Sequence, residues 1–283
     1  MKRFLVVFWA FSIIWGVLSQ AQADVIDPYD NINAPPGANA LITYWNYYHL
    51  PEFSPKNGDD IDIDVDVSVL AVRPVHFFSK KLAGHSWGLN AILPLGHCSM
   101  DNMKNSTGLG DIIVGPFIYL VENEKDNVYL SFWEFIQAPT GQYDKDKATN
   151  IGTDRWFFEH ELAFGWYPGR FGVDANLNYW QFLKSKELKE ERPDALELEA
   201  VLHYGITDKF RIGIQGAAWW DMDDYKYDGI KAEDTKGTNY KLGINLGYSL
   251  QENLILNLRY MKDIKSDNFT EGSHAYFKIT YLF

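Results

Sequence analysis

The 283-residue chain has one cysteine and few basic residues. Cys98 alone excludes an internal disulfide. Lys and Arg number 26 against 38 Asp and Glu, a net charge of −12. That balance excludes nucleic acid as a partner, because a polyanion needs a basic face. His97-Cys98 is at most half a metal site, and nothing nearby supplies the three or four ligands zinc takes. We assign no catalytic, cofactor-binding or metal-ligating residue. Beyond the first twenty residues no apolar run approaches the length of about 20 that a spanning helix needs.

What is present is a patterned excess of aromatics. Phe, Trp and Tyr make up 16% of the chain, with 10 Trp, although the mean hydropathy is only −0.26. Proteins that meet lipid on alternate residues and carry aromatic belts have this composition. The front reads as a secretory signal peptide over residues 1–23. It has Lys2 and Arg3, an apolar stretch from Phe4 to Leu18, and Ala21-Gln22-Ala23 before the expected cleavage point. Residues 24–38, DVIDPYDNINAPPGA, have no strand period and carry three prolines. They are expected to be extended, with a plug in the lumen as the alternative.

From residue 39 onward the period is two. The stretch NYKLGINLGYSLQ, Asn239 to Gln251, alternates apolar and small or polar residues over a dozen positions. So does the closing stretch HAYFKITYLF, with Ala275, Phe277, Ile279, Tyr281 and Phe283 on one parity. In IDIDVDVSV, Ile61, Ile63, Val65, Val67 and Val69 oppose Asp62, Asp64, Asp66 and Ser68. Twelve strands are predicted, at 39–50, 61–77, 85–95, 109–121, 127–138, 155–167, 171–183, 195–206, 209–220, 239–250, 254–264 and 273–283. The fourth and fifth are apolar on both parities, so their facing is ambiguous.

The connections sort by length. Those after even-numbered strands are short, such as ENEKD and PG. Those after odd-numbered strands are mostly longer and polar, such as APTGQYDKDKATNIGT and DMDDYKYDGIKAEDTKG. This predicts an all-β fold: a closed antiparallel transmembrane barrel with short periplasmic turns, long extracellular loops and an even strand count. Aromatics cluster accordingly. Phe77-Phe78, Trp166-Tyr167, Tyr204, Phe210, Tyr248, Tyr281 and Phe283 fall near the short-turn end. Trp45, Tyr47, Trp156, Tyr179-Trp180, Trp219-Trp220 and Tyr260 fall near the loops. The last strand must pair with the first, because hydrocarbon leaves no edge unpaired. Its aromatic ending resembles the signal by which outer-membrane barrels are taken up by the barrel assembly machinery. Outer-membrane lipid and lipopolysaccharide are the expected surroundings.

Three segments are similar to a known family: Gly108-Leu-Gly-Asp-Ile-Ile-Val-Gly-Pro116, Ala138-Pro-Thr-Gly-Gln-Tyr-Asp144 and Asn150-Ile-Gly-Thr-Asp-Arg-Trp156. They resemble the MetA-pathway of phenol degradation family of outer-membrane proteins. The resemblance implies a barrel that lets small hydrophobic or aromatic compounds cross the outer membrane, and it carries over no catalytic motif.

By parity the lumen is expected to hold Asp62, Asp64, Asp66, Glu159, Glu161, Asp174, Glu197, Glu199, Arg211, Lys241, Arg259 and Lys278. These charges read either as a salt-bridged polar filling or as a lining that favours cations. Two other functions compete with a channel. His160 falls on the lipid-facing parity of the sixth strand, and a lipid-modifying enzyme would need it paired with a serine such as Ser131. A structural or adhesive barrel would work through loops such as Asp221 to Asp234. That loop is acidic but lacks the register of a calcium loop, since Asp223-Asp224 are followed by Tyr225.

Overall fold

The computed structural model describes residues 26–147, 149–185 and 187–283. Residues 1–23, read from the sequence as a signal peptide, lie outside them. In chain order the strands are β1 (Asn39–Ser54), β2 (Ile61–Phe77), β3 (Trp87–Met100), β4 (Ser106–Leu109), β5 (Ile112–Asn123), β6 (Val128–Ala138), β7 (Phe157–Trp166) and β8 (Phe171–Phe182). They continue as β9 (Glu190–Glu191), β10 (Ala195–Gly205), β11 (Phe210–Asp221), β12 (Lys226–Tyr227), β13 (Ile230–Lys231), β14 (Thr238–Gln251), β15 (Leu254–Asp267) and β16 (Phe269–Leu282).

Twelve staves make a closed antiparallel barrel. Sequential neighbours pair throughout, and β16 pairs with β1 from Ala40↔Leu282 to Ser54↔Phe269. β4 and β5 share one stave, since both pair with β3 on either side of Gly110-Asp111. The tiny strands β9, β12 and β13 form a separate sheet in the long loops. One connection at the loop end is far shorter than expected: β15 and β16 run on until Asn268 alone turns the chain, at a φ of 49°.

Parity decides which face each residue takes. On β16, Phe277 and Tyr281 point out, while His274, Tyr276 and Lys278 are buried inside. The ambiguous strands resolve too: Ile113, Phe117 and Tyr119 of β5 and Trp133 and Phe135 of β6 point in. Strand length then sets height. Crossing the bilayer takes about 9–11 residues. β7 has 10, but β1 and β2 have 16 and 17. The surplus stands above the bilayer as a collar on the loop side.

Several paired aromatics divide between the two faces instead of both joining a belt. Trp45, Trp166, Tyr204, Tyr248, Tyr260 and Tyr281 are outward and exposed. Phe77, Tyr167, Trp180 and Trp219 are buried inside, each beside a neighbour that points out.

Candidate functional site

The interior has three levels. At the short-turn end, residues 26–35 lie inside the barrel and bind its wall. Gln215 Nε2 and Arg259 Nη1 both donate to the Ile26 carbonyl at 2.8 Å. Lys278 Nζ lies 2.7 Å from Asp27 and donates to Asp30 at 2.6 Å. Asn245 donates to Asp27 as well. The Tyr29 and Asn31 amides donate to the Asp174 carboxylate at 3.0 and 3.2 Å. The Tyr29 ring stacks on Tyr167 and takes the Arg211 guanidinium 4.0 Å above it. Against the penalty of burial, the charges of Lys278 and Arg259 hold Asp27 below the usual carboxylate range. Burial, with the Asp27 charge added, pushes Asp30 up to about 6 against the pull of Lys278. A cavity of about 210 Å³ separates this segment from the wall, and Tyr119, Trp133, Arg73, Glu161 and Asn176 line its far side.

Above it, carboxylates alternate with rings. Glu159, Glu161, Glu197 and Glu199 are all inward and buried. Trp180 Nε1 donates to Glu197 at 3.1 Å, and Asn176 Nδ2 to Glu161 at 2.7 Å. The Arg73 guanidinium lies 5.2 Å over the Trp133 ring and 5.3 Å over Phe135. Arg259 lies 3.8 Å over Tyr276. Gly172 leaves room for His203, since a Cβ there would meet its ring at 2.1 Å. His203 Nε2 in turn lies 3.2 Å from Asp174.

On the side of β1, β2 and β3 the collar interior is apolar. Tyr48, Leu50, Phe53, Ile63, Val65, Val67, Val69, Cys98 and Ile151 pack as one cluster. This overturns one expectation. Asp62 and Asp64 are exposed on the outer face, with Asp66 half-buried beside them, and the Ile/Val set of the same strand faces the lumen. The physical reason is height: this half of β2 has left the bilayer, so water bathes its outside. There Asp66 accepts from the Tyr47 hydroxyl at 2.6 Å and lies 3.0 Å from His49 Nδ1. Of the other sequence-chosen residues, Asp174, Arg259 and Lys278 are buried inside, and Arg211 and Lys241 are inward and half-buried.

Arg73 escaped the sequence reading because it shares the parity of the Ile/Val set, which looked lipid-facing. Trp133, Trp180 and Trp219 escaped it as well. Tyr179-Trp180 and Trp219-Trp220 each offer an aromatic to both faces, and sequence does not say which belongs to a belt.

The enzyme constellation is not assembled. Ser131 points inward and is fully buried, while His160 points outward and pairs with Glu134 at 2.6 Å. Both His160 and Glu134 are on the outer wall, and the His160 ring stacks on Tyr179. The acidic loop is satisfied by its own lysine: Lys231 Nζ lies 2.7 Å from Asp223 and 3.4 Å from Asp224. Among the described residues no group of His, Cys, Asp and Glu converges as metal ligands.

The segments that carried the family resemblance meet at the collar. The Gly141 and Thr153 amides donate to Asp111 at 2.7 Å each, and Thr153 Oγ1 and Gln137 Nε2 add bonds at 2.8 and 3.1 Å. Arg155 lies 3.3 Å from Glu190. They tie loops to the barrel rim and contribute little to the ring-lined middle level.

No curated protein sequence matches this chain. Among solved structures, an outer membrane channel from Pseudomonas putida F1 aligns with a TM-score of 0.83 at 18% identity, covering 92% of this chain and all of that one. The transport unit of the autotransporter AIDA-I from Escherichia coli aligns at 0.52 and 9% identity, over 95% and 97% of the two chains. The translocator domain of the autotransporter NalP from Neisseria meningitidis aligns at 0.51 and 12% identity, over 94% and 92%. These likenesses establish the outer-membrane barrel fold. The model of one family spans residues 32–279, nearly the whole barrel, and the chain belongs to that family, the MetA-pathway of phenol degradation family.

Proposed function

We propose that this barrel is an outer-membrane channel for small hydrophobic or aromatic compounds, and that residues 26–35 act as its plug. The observation that carries the reading is the inward set of rings. Phe117, Trp133, Phe135, Phe157, Trp180 and Trp219 face the interior, away from lipid, and pack in one cluster. Ring contacts join them, Phe117 stacked on Trp133 with centroids 3.9 Å apart and Phe157 tilted against Trp180 at 5.2 Å. Such a wall offers aromatic solutes favourable contacts of about 0.5–1.5 kcal/mol per ring pair beyond area burial. The fold shared with the Pseudomonas putida channel is consistent with this role, although fold alone does not dictate it. The C-terminal strand, with Tyr281 and Phe283 outward, suits recognition by the assembly machinery.

Planar-bilayer recording with the processed protein tests the reading. The whole protein is expected to conduct weakly, and a form lacking residues 24–37 to conduct several-fold more. Equal conductance in both forms would remove the plug. Absence of ion current and of solute-driven liposome swelling in both would remove the channel.

A further inference from the structure

We propose that the middle of the lumen holds a recognition site for organic ammonium ions, formed by Glu159, Glu161, Glu197 and Glu199 among the rings of Trp133, Phe135, Trp180 and Trp219. This rests on the channel reading and narrows its substrate class to amines with an apolar, preferably aromatic, body.

Register places the groups side by side. Glu159 stands between Phe135 of β6 and Trp180 of β8. Glu161 stands between Trp133 and Asn178. Glu197 stands between Asn178 and Trp219, and Glu199 beside Asn176. All are on the inner parity, so carboxylates and π-faces alternate over one patch of wall. Both attract cations: the carboxylate by its charge, the ring by its quadrupole. The protein already exploits the pairing with Arg73, whose guanidinium lies over Trp133 and Phe135.

Two further observations point to an absent cation. Glu159 Oε2 and Asn178 Oδ1, on side chains about 1% exposed, have no hydrogen-bond partner among the described residues. A buried acceptor left unpaired keeps its desolvation penalty, which a donor arriving with a solute would recover. Within the patch itself, four buried carboxylates stand against the single guanidinium of Arg73, with Arg259 and the half-buried Lys241 on the neighbouring wall.

The spacing selects an organic cation over a metal ion. Glu161 and Glu197 are on strands two staves apart, and among the described residues no three acids, His or Cys converge on one point. Direct ligation of one divalent ion needs oxygens at about 2.0–2.6 Å from it. An ammonium group with a flat apolar body can instead meet one carboxylate and lie against a ring. The cavity of about 210 Å³ at Glu161, Asn176 and Trp133 gives such a group an approach from the plug side, and it is smaller than a drug-sized pocket.

Calorimetric titration of the detergent-solubilised protein tests this without requiring transport. Benzylammonium, benzyl alcohol and benzoate share one ring and differ in charge. Benzylammonium is expected to bind about tenfold tighter than benzyl alcohol, the worth of one retained charge contact, and benzoate more weakly than either. Glu159→Gln and Glu197→Gln are each expected to weaken benzylammonium severalfold and leave benzyl alcohol unchanged. Glu→Gln keeps the shape, and heat-modifiable gel migration reports whether each variant still folds. Equal binding of all three probes, or benzylammonium affinity unchanged in both folded variants, would overturn the site. Conductance recorded on the same preparations separates the outcomes. A conducting protein without amine preference loses only the site, and an amine-binding protein without conductance loses only the channel.

Discussion

The two halves of β2 carry opposite polarity on the same faces. In the lower half Leu70, Val72 and Pro74 point out to lipid, while Arg73 points in, toward the wall that holds Glu161. In the upper half Asp62, Asp64 and Asp66 point out, while Ile63, Val65 and Val67 pack inside. The in–out alternation persists across the boundary, through a bulge at Asp64, whose φ is 42°. What changes is the medium outside: hydrocarbon below, water above. On the β1–β3 side the collar therefore follows the rules of a soluble barrel with an oily core, and the lower barrel those of a membrane protein with a polar one.

Substitutions can break this contrast, and the largest effect is expected at the lower interior. Lys278→Met leaves Asp27 and Asp30 buried without their cation, a loss of about 3–5 kcal/mol when one partner of a buried pair is removed. The outcome expected is release of residues 26–35, read as new protease cleavage in that segment with the barrel still folded. Leu50→Ala in the collar should cost about 2–5 kcal/mol by opening a cavity in a dry core, measured by unfolding in denaturant. A polar lumen at that height would predict almost no cost. On the outer face, Val72→Lys should cost about 2–4 kcal/mol at bilayer depth. Asp62→Lys, on the same strand and parity, should stay within about 0.5 kcal/mol. Equal costs for these two would mean that the bilayer boundary does not cross β2 between them.

The smallest effect is on pH. Docked Asp30 titrates at about 6 and the free segment near the ordinary carboxylate value of about 4. The docked form thus binds its proton more tightly. Docking is strongest at low pH and weakens as pH rises from about 4 to about 6, then levels off. The lowered Asp27 acts in the opposite sense, but below about 4, outside that window. Protease accessibility of the segment at pH 5 and pH 7 checks this; greater protection at pH 7 would reverse the sign.

Alternation, with the sorting of connections by length, disclosed the barrel and its closure, and parity gave the inward face of Glu159, Glu161, Glu197 and Glu199. It disclosed His160 on the outer wall as well. It failed at Asp62, Asp64 and Asp66 because period two tells which residues share a face, and not which solvent that face meets. Strand length held the clue: 17 residues in β2 exceed what a bilayer needs. The docking of residues 26–35 could not be read at all. Its charged and amide partners Asp174, Gln215, Arg259 and Lys278 are 143 or more positions away, Tyr119 and Glu122 are 87 and 89, and no local pattern marks them.

The ion pair between Asp30 and Lys278 spans 248 positions of chain. A ribosome makes Asp30 long before Lys278, so the leading segment has no complete berth until β16 is in place. Its seating therefore reports that the cylinder has been finished, and a chain truncated before β16 would leave that segment dangling in the periplasm for proteases to find.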